Sequence, residues 1–167
     1  QLEFGNEIVK MERFDVTELI NGVVNSSGIL LCQNDIQVEF DGTEPLYVWA
    51  DEFKLEEVIT NYLSNAIHHA DFEKKISIWY TQKEDCVRIS VFNTGKPIPE
   101  EDLDNIWIKF YKVDKARTRE YGGSGIGLSI VKAIMESFHR ECGVINHENG
   151  VEFWLELDTQ NSFSGEK

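Results

Sequence analysis

The 167-residue chain is 41% hydrophobic and 11% aromatic, enough apolar surface for one globular domain and too much for a disordered one. Thirty acidic against 16 basic side chains leave a net charge of −14, which argues against nucleic acid and anionic membrane surfaces as partners. Cys32, Cys86 and Cys142 stand apart with no C-x-x-C pair, so zinc is not expected and reduced thiols in a cytoplasmic setting are. No apolar run reaches the length of a membrane span. A chain that opens on Gln with no Met reads as a piece of something longer.

Residues 1–12 read as the end of a preceding helix or a linker. A short strand is expected at 13–16, then a helix over 17–30 through Leu19, Ile20, Val23 and Val24. Alternation of Ile36, Val38 and Phe40 predicts a half-buried strand over 35–40, with another at 44–50 after Asp41-Gly42. The strongest helical pattern runs from 51 to about 70. Alternating segments at 76–80 and 87–92, around the charged 83–85 turn, predict a hairpin. Residues 93–124 read as loop with one short helix near 100–106. Leu128, Val131, Ile134, Met135 and Phe138 carry a helix over 126–138. A last hairpin pairs 142–146 with 151–157 through Glu148-Asn149-Gly150. The grouping predicts an α/β two-layer sandwich, one mixed sheet packed on three helices. Its bounds are 13–158, with a frayed tail over 159–167.

Three segments carry chemistry. On the 51–70 helix, Leu55, Val58, Ile59, Tyr62, Leu63, Ala66 and Ile67 form one apolar stripe, and Asn61, Asn65 and His68 lie on the stripe beside it. Asparagine is a poor interior helix former, so two at i, i+4 point to a task or to solvated amides; their oxygens suit Mg²⁺ whose remaining ligands are water and phosphate. Asn93-Thr94-Gly95 ends a strand in a polar turn. There Asn93 is able to accept from an exocyclic amine, and Gly95 lets a flat ring lie on the backbone. Gly122, Gly123, Gly125 and Gly127 open a helix whose N-terminal N–H groups and dipole favour an anion. Five of the 16 basic residues (Lys109, Lys112, Lys115, Arg117 and Arg119) abut this loop and read as counter-charge for a triphosphate rather than a solvated face.

In order and spacing these segments resemble the ATP-binding domain of sensor histidine kinases, in the wider family shared with gyrase, Hsp90 and MutL. Asn61-Tyr62-Leu63-Ser64-Asn65 resembles the family's asparagine box, and Asn93-Thr94-Gly95-Lys96-Pro97-Ile98 its first glycine box. Residues 106–114, with Phe110 and Tyr111, resemble the phenylalanine box. Gly123-Ser124-Gly125-Ile126-Gly127-Leu128 resembles the second glycine box, and Gly150-Val151-Glu152-Phe153 a weak third. The likeness covers nearly the whole chain, and its stretch from 92 to 127 is similar to sensors of the vancomycin-resistance type.

The resemblance implies an ATP- and Mg²⁺-binding catalytic domain that transfers the γ-phosphoryl group to a histidine on a separate dimerisation domain. An ATPase or serine-directed kinase of the same fold, or a non-catalytic nucleotide sensor, is the alternative. It implies Asn65 as the metal ligand and Asn61, Lys112 and Arg117 (or Arg119) as the catalytic set. Nucleotide contacts fall on Asn61, Asn65, His68, His69, Asn93, Gly95, Ile98, Lys112, Gly123, Ser124, Gly125, Ile126, Gly127 and Leu128. Asn61 stands where ATPase relatives carry a water-activating glutamate. Phe110 and Tyr111 are expected to anchor a mobile lid over 109–121. Asn93 replaces the usual aspartate, Pro97 a second glycine, Val151 a threonine, and His68 and His69 a basic residue and a tyrosine. His68 is expected to carry a pH-dependent charge near phosphate, and His69 to be a stacked or packed ring. No phospho-accepting histidine box is present, and His139 and His147 are expected at the surface. The implied partners are the parent's own dimerisation domain and a response regulator. The parent is expected to be a homodimer in a bacterial membrane, with this segment cytoplasmic and monomeric.

Overall fold

The computed structural model describes residues 8–108, 111 and 127–160. The chain enters through β1 (Glu12–Asp15) and turns at once into α1 (Val16–Ser26). Asp15 makes that turn, its Oδ1 accepting from the N–H groups of Thr17 and Leu46, each at 3.0 Å. The single helix expected over 17–30 is two. Ser27 leaves helical geometry, and α2 (Gly28–Gln33) begins beyond it. Asn25-Ser26-Ser27-Gly28 concentrates side chains that compete for backbone bonds with the most flexible residue, so the break falls there.

Strands β2 (Gln37–Phe40) and β3 (Tyr47–Ala50) are shorter than their patterns. Asp35 adopts φ 57° in a turn, and Pro45 has no N–H for a ladder. Asp51 then caps α3 (Glu52–His69), accepting from Lys54 N at 3.2 Å and Lys10 N at 3.0 Å. The hairpin of β4 (Lys75–Gln82) and β5 (Cys86–Thr94) extends beyond both expected strands. Near 100–106 only a 3₁₀ turn forms, Glu100–Asp102, followed by hydrogen-bonded turns to Ile108. After α4 (Gly127–Ser137) the chain closes with β6 (Cys142–His147) and β7 (Gly150–Asp158).

The strands form one sheet in the order β1-β3-β7-β5-β4-β2, with β6 on β7. β2 and β4 run parallel and the other pairs antiparallel. The fold is therefore the expected α/β sandwich on a mixed sheet. Val87, Ile89 and Val91 of β5 join Val151, Phe153, Leu155 and Leu157 of β7 in the core with the α1, α3 and α4 stripes. Tyr62 fixes the layers: its ring meets Phe153 at 5.4 Å, and its hydroxyl donates to the Trp154 carbonyl at 2.9 Å. The opposite sheet face is polar, with Arg88 stacked on Trp154 and paired with Glu156 at 3.0 Å. All three cysteines are free thiols. Among the described residues no helix is long and apolar enough to cross a membrane.

Candidate functional site

The site begins on α3. Its apolar stripe is buried as the spacing requires, leaving Asn61, Asn65 and His68 half-buried along one side. Asn61 Nδ2 donates to the Glu57 carbonyl at 2.9 Å, which turns the amide oxygen outward. That oxygen meets the start of α4, where a β-carbon on Gly127 would lie 2.9 Å from it. The asparagine motif and the end of the glycine loop are thus in contact. Leu128 follows and packs on the core. Asn65, one turn further along α3, makes no side-chain hydrogen bond with any described residue.

The last turn of α3 is joined to the end of β5. Asp71 N donates to the Thr94 carbonyl at 2.8 Å, and Thr94 Oγ1 donates to the Asp71 carbonyl at 2.8 Å. Gly95 follows at φ 151°, where a side chain would be strained and its β-carbon would sit 2.6 Å from the His69 carbonyl. Asn93, 1% exposed, donates through Nδ2 to the Thr94 carbonyl at 3.0 Å. Its Oδ1 accepts nothing from the described residues. An acceptor with no partner among the described residues on a buried strand end suits the amine edge of a flat heterocycle.

The β6–β7 hairpin supports this turn. Gly95 N donates to the Asn149 carbonyl at 3.0 Å. Gly150 lies against β5 so closely that a β-carbon there would fall 2.1 Å from the Asn93 carbonyl. Ile98 is held through both its backbone groups by the amide of Asn146. Nothing in the sequence marks Asn146 apart from any polar residue at a strand end.

His68 lies on the stripe its spacing predicts, and His69 does not pack into the core. His69 is exposed, and His68 is the half-buried ring. The cause is helix phase: Ala66 and Ile67 take the buried stripe, and His69 falls on the far side. Burial lowers the His68 imidazole below its ordinary value, because desolvation disfavours the charged form.

From the phenylalanine box, Ile106 is buried and Trp107 packs edge-on against Phe153 at 5.8 Å. Tyr111 anchors by a hydroxyl bond to Asp102. Lys109, Phe110, Lys112, Lys115, Arg117, Arg119, Gly123, Ser124, Gly125 and Ile126 lie outside the described residues. Among the described residues, no group of three or more His, Cys, Asp or Glu is placed to hold a metal. His139 is exposed at φ 58° just past α4. His147, on β6, meets Glu152 Oε1 at 2.9 Å.

Residues 50–161 match the family described as Histidine kinase-, DNA gyrase B-, and HSP90-like ATPase, and the chain belongs to it. Within that family it is a histidine kinase catalytic domain. The probable sensor kinase SilS of Salmonella typhimurium is 36% identical over 72% of the chain. The sensor protein VanSB of Enterococcus faecalis is 32% identical over 66%. The chain spans only 24% and 25% of those two proteins. Among solved structures, the catalytic domain of histidine kinase ThkA superposes with a TM-score of 0.76 at 31% identity, covering 90% of this chain and 98% of that one. ThkA has also been solved in complex with the response regulator protein TrrA.

Proposed function

We propose that this chain binds Mg·ATP where α3, the end of β5 and the N-terminus of α4 meet, and delivers the γ-phosphoryl group to a histidine on the parent protein's dimerisation domain. The contact of Asn61 with Gly127 carries the reading, because it sets two amide-bearing turns of α3 beside a helix N-terminus. The donor set suits the metal. Asn65 offers an amide oxygen with no partner among the described residues and Asn61 one facing the start of α4, both hard and neutral, and Mg²⁺ keeps its waters and takes phosphate oxygens for the rest. When bound, magnesium supplies charge neutralisation between the phosphates. Asn93 Oδ1 and the bare backbone of Gly95 hold the base.

Asn61 has no useful basicity, so no group at this position takes a proton from water. That favours a protein histidine over water as acceptor. Lys112 and Arg117 are proposed to stabilise the charge of the transferring phosphoryl group. A response regulator then receives the phosphate, as the assembly of ThkA with TrrA supports. The parent is proposed to be a homodimer in a bacterial membrane, with this domain on the cytoplasmic side.

The test is transfer from γ-labelled ATP to the histidine-bearing domain encoded by the same gene. Acid-labile, base-stable label is expected on that domain and none on this chain. Release of inorganic phosphate without acceptor labelling would instead make it a hydrolase, and binding without either a nucleotide sensor.

A further inference from the structure

Beyond Thr94 the chain leaves the sheet, and its backbone groups need partners elsewhere. Ile98 finds both of its partners in one side chain. Its N–H donates to Asn146 Oδ1 at 3.0 Å, and its carbonyl accepts from Asn146 Nδ2 at 2.8 Å. A primary amide offers donor and acceptor side by side at any pH, so Asn146 serves Ile98 as a neighbouring strand would. It stands on β6 opposite Val151. Val151 belongs to the core, which places Asn146 on the sheet face that carries the helices. Pro97 and Pro99 flank Ile98, fix φ on either side and bring no donors of their own. The turn is therefore stiff locally; Asn149 holds its start at Gly95 and Asn146 its far end at Ile98.

We propose that Asn146 is a positioning residue for nucleotide recognition. By gripping Ile98 at both backbone groups, it fixes the turn that presents Asn93 and Gly95 to the base. The inference rests on reading that turn as the base-binding side of the ATP site. Asn146 acts through Ile98 and has no part in holding phosphate.

Calorimetry on Asn146→Ala, Asn146→Asp and Asn146→Gln, with Mg·ATP, Mg·GTP and magnesium tripolyphosphate as ligands, tests it. Loss of the clamp should weaken ATP about tenfold, the scale of one buried hydrogen bond. It should also narrow the preference for ATP over GTP and leave tripolyphosphate within about twofold. Asn146→Gln, which keeps the amide, should recover part of the ATP affinity. Asn146→Asp retains the bond to the Ile98 N–H and replaces the alanine variant if that one fails to fold by circular dichroism. Equal losses for ATP and tripolyphosphate, or unchanged ATP affinity in a folded variant, would overturn the proposal. A wild-type chain that binds tripolyphosphate but shows no preference for ATP overturns the base-side reading itself, a different result from failure at Asn146.

Discussion

Asn61 and Gly127 meet so closely that a β-carbon on the glycine would lie 2.9 Å from the asparagine's side-chain oxygen. One belongs to the middle of α3 and the other to the first turn of α4. Their contact brings the asparagine motif against the first residue of α4. Asn61 Nδ2 donates to the Glu57 carbonyl, which orients the amide oxygen toward the glycine in the absence of any substitution.

Gly127→Ala therefore separates stability from binding. Alanine favours the helix, and the intruding atom meets only the tip of one side chain. The melting temperature should hold or rise slightly, while Mg·ATP affinity falls about tenfold as the amide oxygen is displaced. In an Asn61→Ala background the same substitution should have little further effect on affinity. Calorimetry on the four-member cycle measures this; additive losses would show that the two residues do not act together.

Gly95→Ala should behave in the opposite way. The residue sits at φ 151°, and its β-carbon would strike the His69 carbonyl at 2.6 Å. That carbonyl is backbone at the end of α3, so it has no rotamer by which to move. Strain of this kind costs about 2–3 kcal/mol. The melting temperature should fall by roughly 4–12 °C for a domain of this size. A scanning calorimetry trace within 1–2 °C of wild type, roughly the shift that 0.5 kcal/mol produces, would show the turn to be more plastic than its geometry.

Much of this arrangement was legible in the residues. The α3 stripe gave the helix and its buried face because a 3.6-residue period leaves one solution. The hairpins followed from alternation and turn chemistry. What failed was local competition. Ser27 breaks the 17–30 helix because the apolar period continues through a stretch whose side chains prefer other bonds. His69 turned outward because one residue at a helix end rotates by about 100° relative to the next. Asn146 was invisible for a different reason. Its partner is a backbone turn distant in sequence, and nothing about the spacing of Asn146 and Ile98 encodes that pairing.

Asn65 carries the metal prediction. It is half-buried on the stripe beside the core, and its side chain makes no hydrogen bond with a described residue. Asn65→Ala should lower Mg·ATP affinity by about tenfold or more and leave metal-free adenosine little changed. Titrations of both ligands with and without magnesium decide it. Equal losses for the two would place Asn65 in support of the base rather than of the metal.

His68 supplies a pH dependence whose sign follows from its burial. The imidazole titrates below its ordinary value near 6.5 because the protein takes water from the charged form. Between that lowered value and about 6.5, the unfolded chain binds more protons than the folded one. Stability therefore rises with pH through this window, is fully present above about 6.5, and declines below it. Bound triphosphate acts the other way, since its negative charge favours the imidazolium and raises the value in the complex. Binding near pH 6 should then take up protons, and His68→Gln should abolish that uptake and flatten the stability slope. Calorimetry in buffers of different ionisation enthalpy measures the uptake. If His68→Gln leaves the uptake unchanged, the proton goes elsewhere and His68 does not face the phosphates.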